Sequence, residues 1–266
     1  METPAKILVK EVEFAYELPA KNGRLSVLKS VTFGCEPTKI VAVVGPSGCG
    51  KSTLLNIIAG LLRPTGGQIE FPDSLGGNPR RTAYVFQSPR LVPWLSVRHN
   101  ALLGAELGGI LTSQLERRCN EHLSAYGLTG FENSLPHTLS GGMQQRVALL
   151  RALLSNAKVL LLDEPYANSD FVLRRQLQME LSEAVTRDKL VAILVTHDLT
   201  EAARTADEVV VLSERPAEVV DTFHIPIPRA ARLKGEADAI RDLAEYLSRL
   251  ERAVSDSQRA QKGFAS

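Results

Sequence analysis

A glycine-rich segment that ends in a lysine and two hydroxyl residues is the feature of this sequence best suited to chemistry. It occupies residues 45–53 and lies between an apolar run at 40–44 and a helical run at 54–62. The spacing G-x-x-x-x-G-K-[ST] between a strand and a helix is typical of a loop that binds nucleotide phosphates. The segment consists of Gly45, Pro46, Ser47, Gly48, Cys49, Gly50, Lys51, Ser52 and Thr53.

The glycines of this loop allow positive φ values and close backbone approach, so that successive N–H groups point at an anion. The N-terminus of the following helix adds partial positive charge at the same place. Lys51 is placed to bridge the β- and γ-phosphates, and the Ser52 hydroxyl to hold Mg²⁺. A chance glycine-rich turn is the alternative, but the strand and helix on either side favour a nucleotide site.

A pair of acidic residues follows the apolar run at 159–162, where Asp163 and Glu164 precede Pro165. A buried strand that ends in aspartate places a carboxylate at the carboxyl edge of the sheet, beside the phosphate loop. We expect Asp163 to hold Mg²⁺, directly or through water, and Glu164 to polarise an attacking water as general base. Alone the tripeptide is equally typical of an ordinary turn, and the phosphate loop favours the functional interpretation.

Ser140, Gly141 and Gly142 open a helix with apolar periodicity at residues 143–154 and present a second set of free N–H groups. Such a tripeptide before a helix is usually only a flexible cap. The tripeptide alone leaves open whether this second helix terminus, which is also suited to phosphate, has a function.

Taken together, these residues resemble the ATP-binding-cassette (ABC) ATPases over about residues 7–215. The motifs occur in the family's order: the loop at 45–53, Gln87 in Val-Phe-Gln, residues 139–146 (LSGGMQQR), 159–165, and His197 in Val-Thr-His-Asp. The resemblance implies ATP and Mg²⁺ as ligands. It also implies that two copies of the chain hold two ATP molecules head to tail, each between one copy's phosphate loop and the other's 140–142.

The resemblance also implies individual roles. Gln87 is expected to contact Mg²⁺ and water and to sense the γ-phosphate, Glu164 to act as general base, and His197 to contact the γ-phosphate and orient the catalytic group. Tyr16 matches the aromatic residue that stacks on adenine, although Phe14 competes for this role.

One segment departs from the family pattern. After Glu-Pro the family usually has a small residue, leucine and aspartate, whereas this chain has Asn168 and Ser169 before Asp170. Asp170 falls where the family's inter-subunit aspartate lies. The unusual neighbours predict that coupling between the two ATP sites differs from the usual.

The pattern of elements that must position these residues predicts an α/β fold. We expect a P-loop NTPase core, as in the ABC ATPases, with a parallel sheet. Short apolar runs that alternate with helical stretches favour parallel strands with helices on both sides. Three strand-like runs near the N-terminus predict an added antiparallel sheet beside that core. The runs are 40–44, 159–162, 191–195 and 209–212 for the parallel strands, and 7–12, 27–33 and 68–71 for the antiparallel ones.

We expect one ABC ATPase domain at residues 5–235, with a helical subdomain inserted at about 88–155. Helix-like pieces at Val97–Leu107 and 111–126 carry this insertion. Residues 236–266 predict a C-terminal helix and a polar, frayed tail. The apolar face of that helix carries Ile240, Leu243, Leu247, Leu250 and Val254.

Composition excludes several classes of protein. Among 266 residues, 31 Lys and Arg face 30 Asp and Glu, which leaves a net charge of +1 and argues against a nucleic-acid partner. The longest apolar runs have six residues, far below the about 18 that span a bilayer. Three cysteines at unrelated spacings indicate neither disulfides nor zinc. We therefore expect a soluble cytosolic protein without a secretory signal.

Residues 91–97 (LVPWLSV) lie where the family receives a helix of the membrane subunit. With residues 213–216 (SERP) and a basic segment that ends at Pro228-Arg229, they resemble the nitrate/sulfonate/taurine importer ATPases. Those are bacterial subunits at the cytoplasmic face of the inner membrane that work with two membrane permeases and a periplasmic solute-binding protein. The resemblance implies uptake of a small polar solute such as an aliphatic sulfonate, taurine or nitrate.

Other functions stay open at this point. An importer of a pyrimidine precursor of thiamine shares these features, and an exporter ATPase shares the ATPase motifs. A non-transport cassette ATPase usually carries two cassettes or a long coiled-coil insertion. A P-loop metabolic kinase would leave residues 139–146 and His197 unexplained.

Overall fold

The computed structural model describes residues 6–19, 23–71, 82–167 and 169–262. Its strands are β1 (Ile7–Glu17), β2 (Arg24–Cys35), β3 (Ile40–Val44), β4 (Gly66–Glu70), β5 (Thr82–Val85), β6 (Val159–Asp163), β7 (Val191–Val195), β8 (Glu208–Leu212) and β9 (Val219–His224). Its helices are α1 (Lys51–Ile58), α2 (Val97–Leu107), α3 (Ser113–Ala125), α4 (Gly141–Leu153), α5 (Phe171–Arg187), α6 (Leu199–Thr205), α7 (Arg229–Lys234) and α8 (Ala237–Lys262).

The main sheet has six strands in the order β5-β6-β7-β3-β8-β9. The strands from β5 to β8 pair in parallel, and only β9 runs antiparallel, against β8. Every residue of β3, β6 and β7 is buried, because both faces of the sheet are covered. The α/β fold with parallel strands is therefore confirmed. The carboxyl ends of β3, β5, β6 and β7 lie at one edge, where four of the sequence motifs begin.

The antiparallel sheet has the order β2-β1-β4. Its apolar residues, such as Val9 and Val31, share one core with Leu54 of α1 and with Val43 and Ile193 of the main sheet. The expected added antiparallel sheet is therefore confirmed, and together with α1 it covers one face of the main sheet. The alternation of apolar residues predicts strand pairing but does not reveal which surface the pair covers.

Helices cover the opposite face of the main sheet. Leu194 of β7 belongs to a second core with residues of α4, α5, α6 and α8, among them Leu149, Leu181, Ala203 and Leu243. Helices α2 and α3 extend this core through residues such as Ala101 and Leu123. The predicted helix Val97–Leu107 has the same bounds in the structure, and the one predicted at 111–126 spans Ser113–Ala125.

Two strands and part of a helix differ from the prediction. β5 has four residues, three of them half-buried, and β9 is half-exposed, so neither has a strong apolar pattern. Both are edge strands that are stabilised by a neighbour. Helix α8 continues to Lys262, across the polar segment that was expected to fray, and residues 263–266 lie outside the described residues.

The basic segment that ends at Pro228-Arg229 is not a surface patch. The Arg229 guanidinium is buried, 2.5 Å from Asp207 Oδ2, and it donates to the Ser182 hydroxyl at 2.7 Å. Burial lowers the pKa of Arg229, and the Asp207 carboxylate opposes that shift. The hydrogen bond to Ser182 fixes α7 to α5, and the ion pair with Asp207 fixes α7 to the residue before β8. None of the helices in the described part of the chain is both long and apolar enough to cross a bilayer.

Candidate functional site

The phosphate loop joins the end of β3 to the start of α1. Gly48 and Gly50 have φ values of 75° and 122°, which favour glycine. A Cβ atom at Gly50 would lie 2.7 Å from Val27 Cγ1, so the loop depends on that residue having no side chain. Lys51 is 8% exposed, and its Nζ donates to the carbonyls of Gly45 at 2.8 Å and Pro46 at 2.9 Å. The loop thus curves around its own lysine and holds the positive charge where phosphate oxygens are expected.

Asp163 ends β6 beside this loop and is 5% exposed. Burial raises the pKa of its carboxyl, while a hydrogen bond from the Ser52 hydroxyl and the charge of Lys51 lower it. The buried carboxylate therefore depends on nearby positive charge to stay ionised. Together, a hydroxyl and a carboxylate supply the hard oxygen ligands that Mg²⁺ prefers.

Gln87 lies two residues after β5, and Val85 of β5 pairs with Leu162 of β6. This register brings the exposed Gln87 to the same edge of the sheet as Asp163. Within the described residues, no three or more His, Cys, Asp or Glu side chains cluster as a metal site. The donors present suit a magnesium ion that also uses substrate phosphates, because Mg²⁺ commonly binds through one or two carboxylates and phosphate oxygens.

Glu164 and His197 form a close pair at the ends of β6 and β7. Glu164 Oε1 lies 2.8 Å from His197 Nδ1, and the two side chains are 19% and 70% exposed. Glu164 has φ 49°, a left-handed conformation that is strained for a side chain of this size. Its N–H donates to Val195 O at 2.9 Å, which fixes the strained residue against β7. The carboxylate is therefore held by both strands and turned toward the imidazole.

Tyr16 lies on β1, and its hydroxyl is 3.4 Å from Thr53 Oγ1. Its side chain is 40% exposed, whereas Phe14 is 7% exposed and packs edge-on against the Tyr16 ring at 4.8 Å between centroids. Of the two aromatic residues, only Tyr16 presents a free ring face next to the phosphate loop. The geometry favours Tyr16 over Phe14 as a platform for a base.

Ser140, Gly141 and Gly142 form the exposed start of α4. The Ser140 hydroxyl accepts a hydrogen bond from Met143 N at 3.3 Å, so its side chain caps the helix. Asp170 similarly caps α5 and accepts from Leu173 N at 3.0 Å. Across the described ranges, no hydrogen bond joins these residues to the phosphate loop.

Several polar residues of this region were missed by sequence reasoning. Arg174 of α5 contacts both Ser169 and Asp198, and Glu201 of α6 is buried. Burial raises the pKa of Glu201 to about 7, partly opposed by a hydrogen bond with Thr196. No local motif marks these residues, because each is defined by a partner that is distant in sequence or by its burial.

A groove of about 560 Å³ lies between β5, α2 and the end of α4, with Leu103, Leu107 and Phe86 among its lining residues. Arg151 lines it as well and donates to the carbonyls of Pro89 at 3.2 Å and Arg90 at 3.1 Å. Arg151 therefore fixes the residues after Gln87 to α4. Because Arg151 also lines the groove, it connects the groove to the segment that carries Gln87.

Known proteins with similar sequences settle the family. The family description for ABC transporters matches residues 28–167. An ATP-binding protein of Brucella abortus biovar 1 is 42% identical over 212 residues, which cover 77% of this chain and 80% of that protein. The chain belongs to the ABC transporter family.

Other members of the ABC transporter family agree with this assignment. The aliphatic sulfonates import ATP-binding protein SsuB 2 of Pseudomonas syringae pv. tomato is 40% identical over 223 residues, 80% of this chain and 90% of the relative. A dimeric ATP-binding cassette, MJ0796, solved in a post-hydrolysis state with ADP and Pi, superposes with a TM-score of 0.70 at 29% identity. It covers 82% of this chain and 98% of the cassette. The α/β fold described above is thus that of an ABC ATPase.

Proposed function

We propose that this chain is the ATP-hydrolysing subunit of an importer for a small polar solute such as an aliphatic sulfonate. The observation that carries the proposal is the Glu164–His197 pair, 2.8 Å apart at the sheet edge beside Lys51 and Asp163. A carboxylate held by a histidine next to a phosphate loop is suited to activate water for attack on a phosphoryl group. The relatives named for sulfonate import support the solute class.

In this proposal the phosphate loop and the N-terminus of α1 bind the nucleotide phosphates, and Tyr16 stacks on the base. Ser52, Asp163 and Gln87 hold Mg²⁺, which neutralises charge on the phosphates when it is bound. Glu164 accepts a proton from the attacking water. His197 fixes the Glu164 carboxylate and contacts the γ-phosphate.

We further propose that the active form is a dimer of two copies. The exposed start of α4, with Ser140, Gly141 and Gly142, then reaches the nucleotide of the other copy, and Asp170 lies at the interface. The dimeric cassette that the fold resembles supports this arrangement. Nucleotide held between two copies links ATP binding to dimer closure.

The dimer is proposed to act at the cytoplasmic face of the cell membrane. Its partners are two membrane permease subunits and, through them, a periplasmic solute-binding protein. A permease helix is the proposed occupant of the groove lined by Leu103 and Leu107. Leu107 is 82% exposed there, and Trp94, on the segment that Arg151 and Asn100 fix, is 77% exposed. Both features give an apolar surface next to Gln87.

Glu164→Gln is the substitution that tests hydrolysis. It keeps the shape of the side chain but removes the base, so we expect turnover to fall by about a hundredfold or more while ATP binding is retained. Size-exclusion chromatography with ATP and Mg²⁺ is expected to show an accumulated dimer. The matched control is Glu183→Gln, which changes an exposed glutamate of α5. Wild-type turnover in Glu164→Gln would show that Glu164 is not the base.

Trp94→Ala tests the proposed permease surface. We expect reduced co-purification of the permease and reduced solute uptake, because the exposed ring lies on the segment proposed to receive the permease helix. Val220→Ala, a change at a half-exposed apolar residue of β9, serves as control. Full co-purification and uptake in the Trp94 variant would contradict the assignment of this surface.

A further inference from the structure

Arg174 joins two loops that the sequence gives no reason to connect. It lies in the first turns of α5, and its Nη2 donates to Ser169 O at 3.3 Å while its Nη1 lies 3.4 Å from Asp198 Oδ2. The side chains of Arg174 and Asp198 are 36% and 35% exposed, so the contact is partly shielded from solvent. One guanidinium therefore spans from the segment before α5 to the residue directly after His197.

Asp198 is held firmly at its end of this bridge. Its Oδ1 accepts from Glu201 N at 3.0 Å and so caps α6, and its own N–H donates to Thr196 Oγ1 at 3.1 Å. The second carboxylate oxygen is the one that faces Arg174. Because His197 stands between Thr196 and Asp198, contacts that fix these two residues also fix the backbone from which the imidazole reaches Glu164.

The other end of the bridge lies at Ser169, which is half-buried. Ser169 N donates to Tyr166 O at 3.2 Å, and Arg174 N donates to Asp170 O at 2.9 Å. Asp170 itself is exposed at the start of α5. Ser169 and Asp170 thus form a surface segment whose backbone is fixed to Arg174 at two adjacent carbonyls.

The charges of Arg174, Asp198 and Glu164 all act on one buried carboxyl, that of Glu201. The Arg174 and Asp198 charges both act on the buried Glu201 carboxyl, the arginine lowering its pKa and the aspartate raising it. Glu164 raises the same pKa, so Glu201 senses the catalytic carboxylate as well as the bridge. Arg174 is therefore electrostatically linked to both loops at the sheet edge.

We propose that Arg174 is a positioning residue that passes contact of a second copy at Ser169 and Asp170 to the His197–Glu164 pair. The inference rests on the proposed roles of Glu164, His197 and Asp170. A shift of the Ser169 carbonyl moves the guanidinium, which moves Asp198 and with it the adjacent His197.

Arg174→Met tests the proposal, because it keeps an unbranched side chain with a similar apolar stem and removes both polar contacts. We expect the kcat for ATP hydrolysis to fall about tenfold while the KM for ATP changes less than about twofold. Arg175→Met is the matched control, since that neighbouring arginine binds the carbonyls of Leu233 and Lys234 instead, away from His197. The control is expected to keep kcat within about twofold, and thermal unfolding of both variants is measured to exclude loss of fold.

A double-mutant cycle tests the connection to the second copy. Asp170→Asn keeps a residue able to cap α5 but removes the charge. If Arg174 acts through this segment, the double variant is expected to be no slower than the slower single variant. Independent, multiplicative losses would overturn the proposed path.

Three outcomes separate the inference from the function on which it rests. Normal kcat in Arg174→Met beside an inactive Glu164→Gln would overturn the inference alone. Equal losses of kcat in Arg174→Met and Arg175→Met would also overturn it, because the effect would then be general to α5. Full activity in Glu164→Gln would overturn the proposed base and the inference together.

Discussion

At the scale of single residues, the site depends on a residue held in a backbone conformation that is energetically unfavourable for its type. Glu164 adopts φ 49°, and its N–H is bound to β7 while its carboxylate meets His197. Strain of this kind persists only where surrounding contacts fix it, and such residues cluster at functional sites. The exposed imidazole therefore has a preorganised partner before any substrate binds.

His197→Ala is expected to lower kcat about a hundredfold while ATP binding is retained, because the Glu164 carboxylate loses its orienting partner. Stability is expected to change by less than about 0.5 kcal/mol, since the side chain is 70% exposed. Steady-state hydrolysis and nucleotide titration measure the two quantities. His137→Ala, at another exposed histidine, is the control, and equal activity in both variants would remove His197 from the proposed site.

At the scale of elements, the segment after Gln87 is a loop whose backbone is held by hydrogen bonds from two side chains, those of Asn100 and Arg151. Asn100 of α2 has no exposed surface; its Oδ1 accepts from Val92 N at 2.7 Å, and its Nδ2 lies within 3.1 Å of three carbonyls. Arg151 fixes the preceding residues to α4. Hydrogen bonds from side chains of α2 and α4 therefore anchor residues 89–96.

Asn100→Ala is expected to destabilise the protein by about 2 to 3 kcal/mol, because several buried backbone groups of residues 92–96 lose their partner. Chemical denaturation measures the free energy of unfolding. Asn120→Ala, at an exposed residue of α3, is the control and is expected to change it by less than about 0.5 kcal/mol. A loss as small as in the control would mean that water replaces these hydrogen bonds.

The elements that sequence predicts well are those with a strong local signal. β3 and β7 consist of five apolar residues each, and α2 begins after Ser96, whose hydroxyl caps it through His99 N. The phosphate loop, likewise, is defined by spacing along the chain. β5 could not be predicted in this way, because its four residues show no clear apolar pattern. They form a strand through pairing with β6.

The same limit applies to the site. Asp163 ends a buried strand, Glu164 and His197 follow buried strands, and parallel pairing brings those strand ends together. Arg174 and Arg229 carry no such signal, because an arginine on a helix is usually exposed and its partners lie far away in sequence. Tyr16 and Phe14 could be distinguished only by their burial, which depends on how the antiparallel sheet packs.

At the scale of the whole molecule, a buried polar group near the site lowers the free energy of unfolding. Glu201 is 7% exposed, and burial raises its pKa from the ordinary value of 4.5 to about 7. Between these two values the unfolded chain is ionised while the folded chain keeps the proton. The free energy of unfolding therefore falls as the pH rises through this window, and the loss is complete above about pH 7.

Glu201→Gln removes this titration, so the variant is expected to gain stability relative to the wild type as the pH rises from 5 to 8. The difference is expected to approach about 3 kcal/mol. Denaturation of both proteins at several pH values measures it. A difference that stays constant with pH would show that the Glu201 carboxyl titrates alike in the folded and unfolded chains.

The burial of the cysteines has a practical consequence for observing this molecule. Cys35, Cys49 and Cys119 are all buried, and burial raises the pKa of each thiol, that of Cys119 to about 11. Alkylating reagents attack the thiolate, so all three react slowly in the native state. A cysteine introduced at an exposed position such as Val220 can therefore take a maleimide fluorophore selectively. Distances between two labelled subunits then become measurable in an otherwise natural sequence.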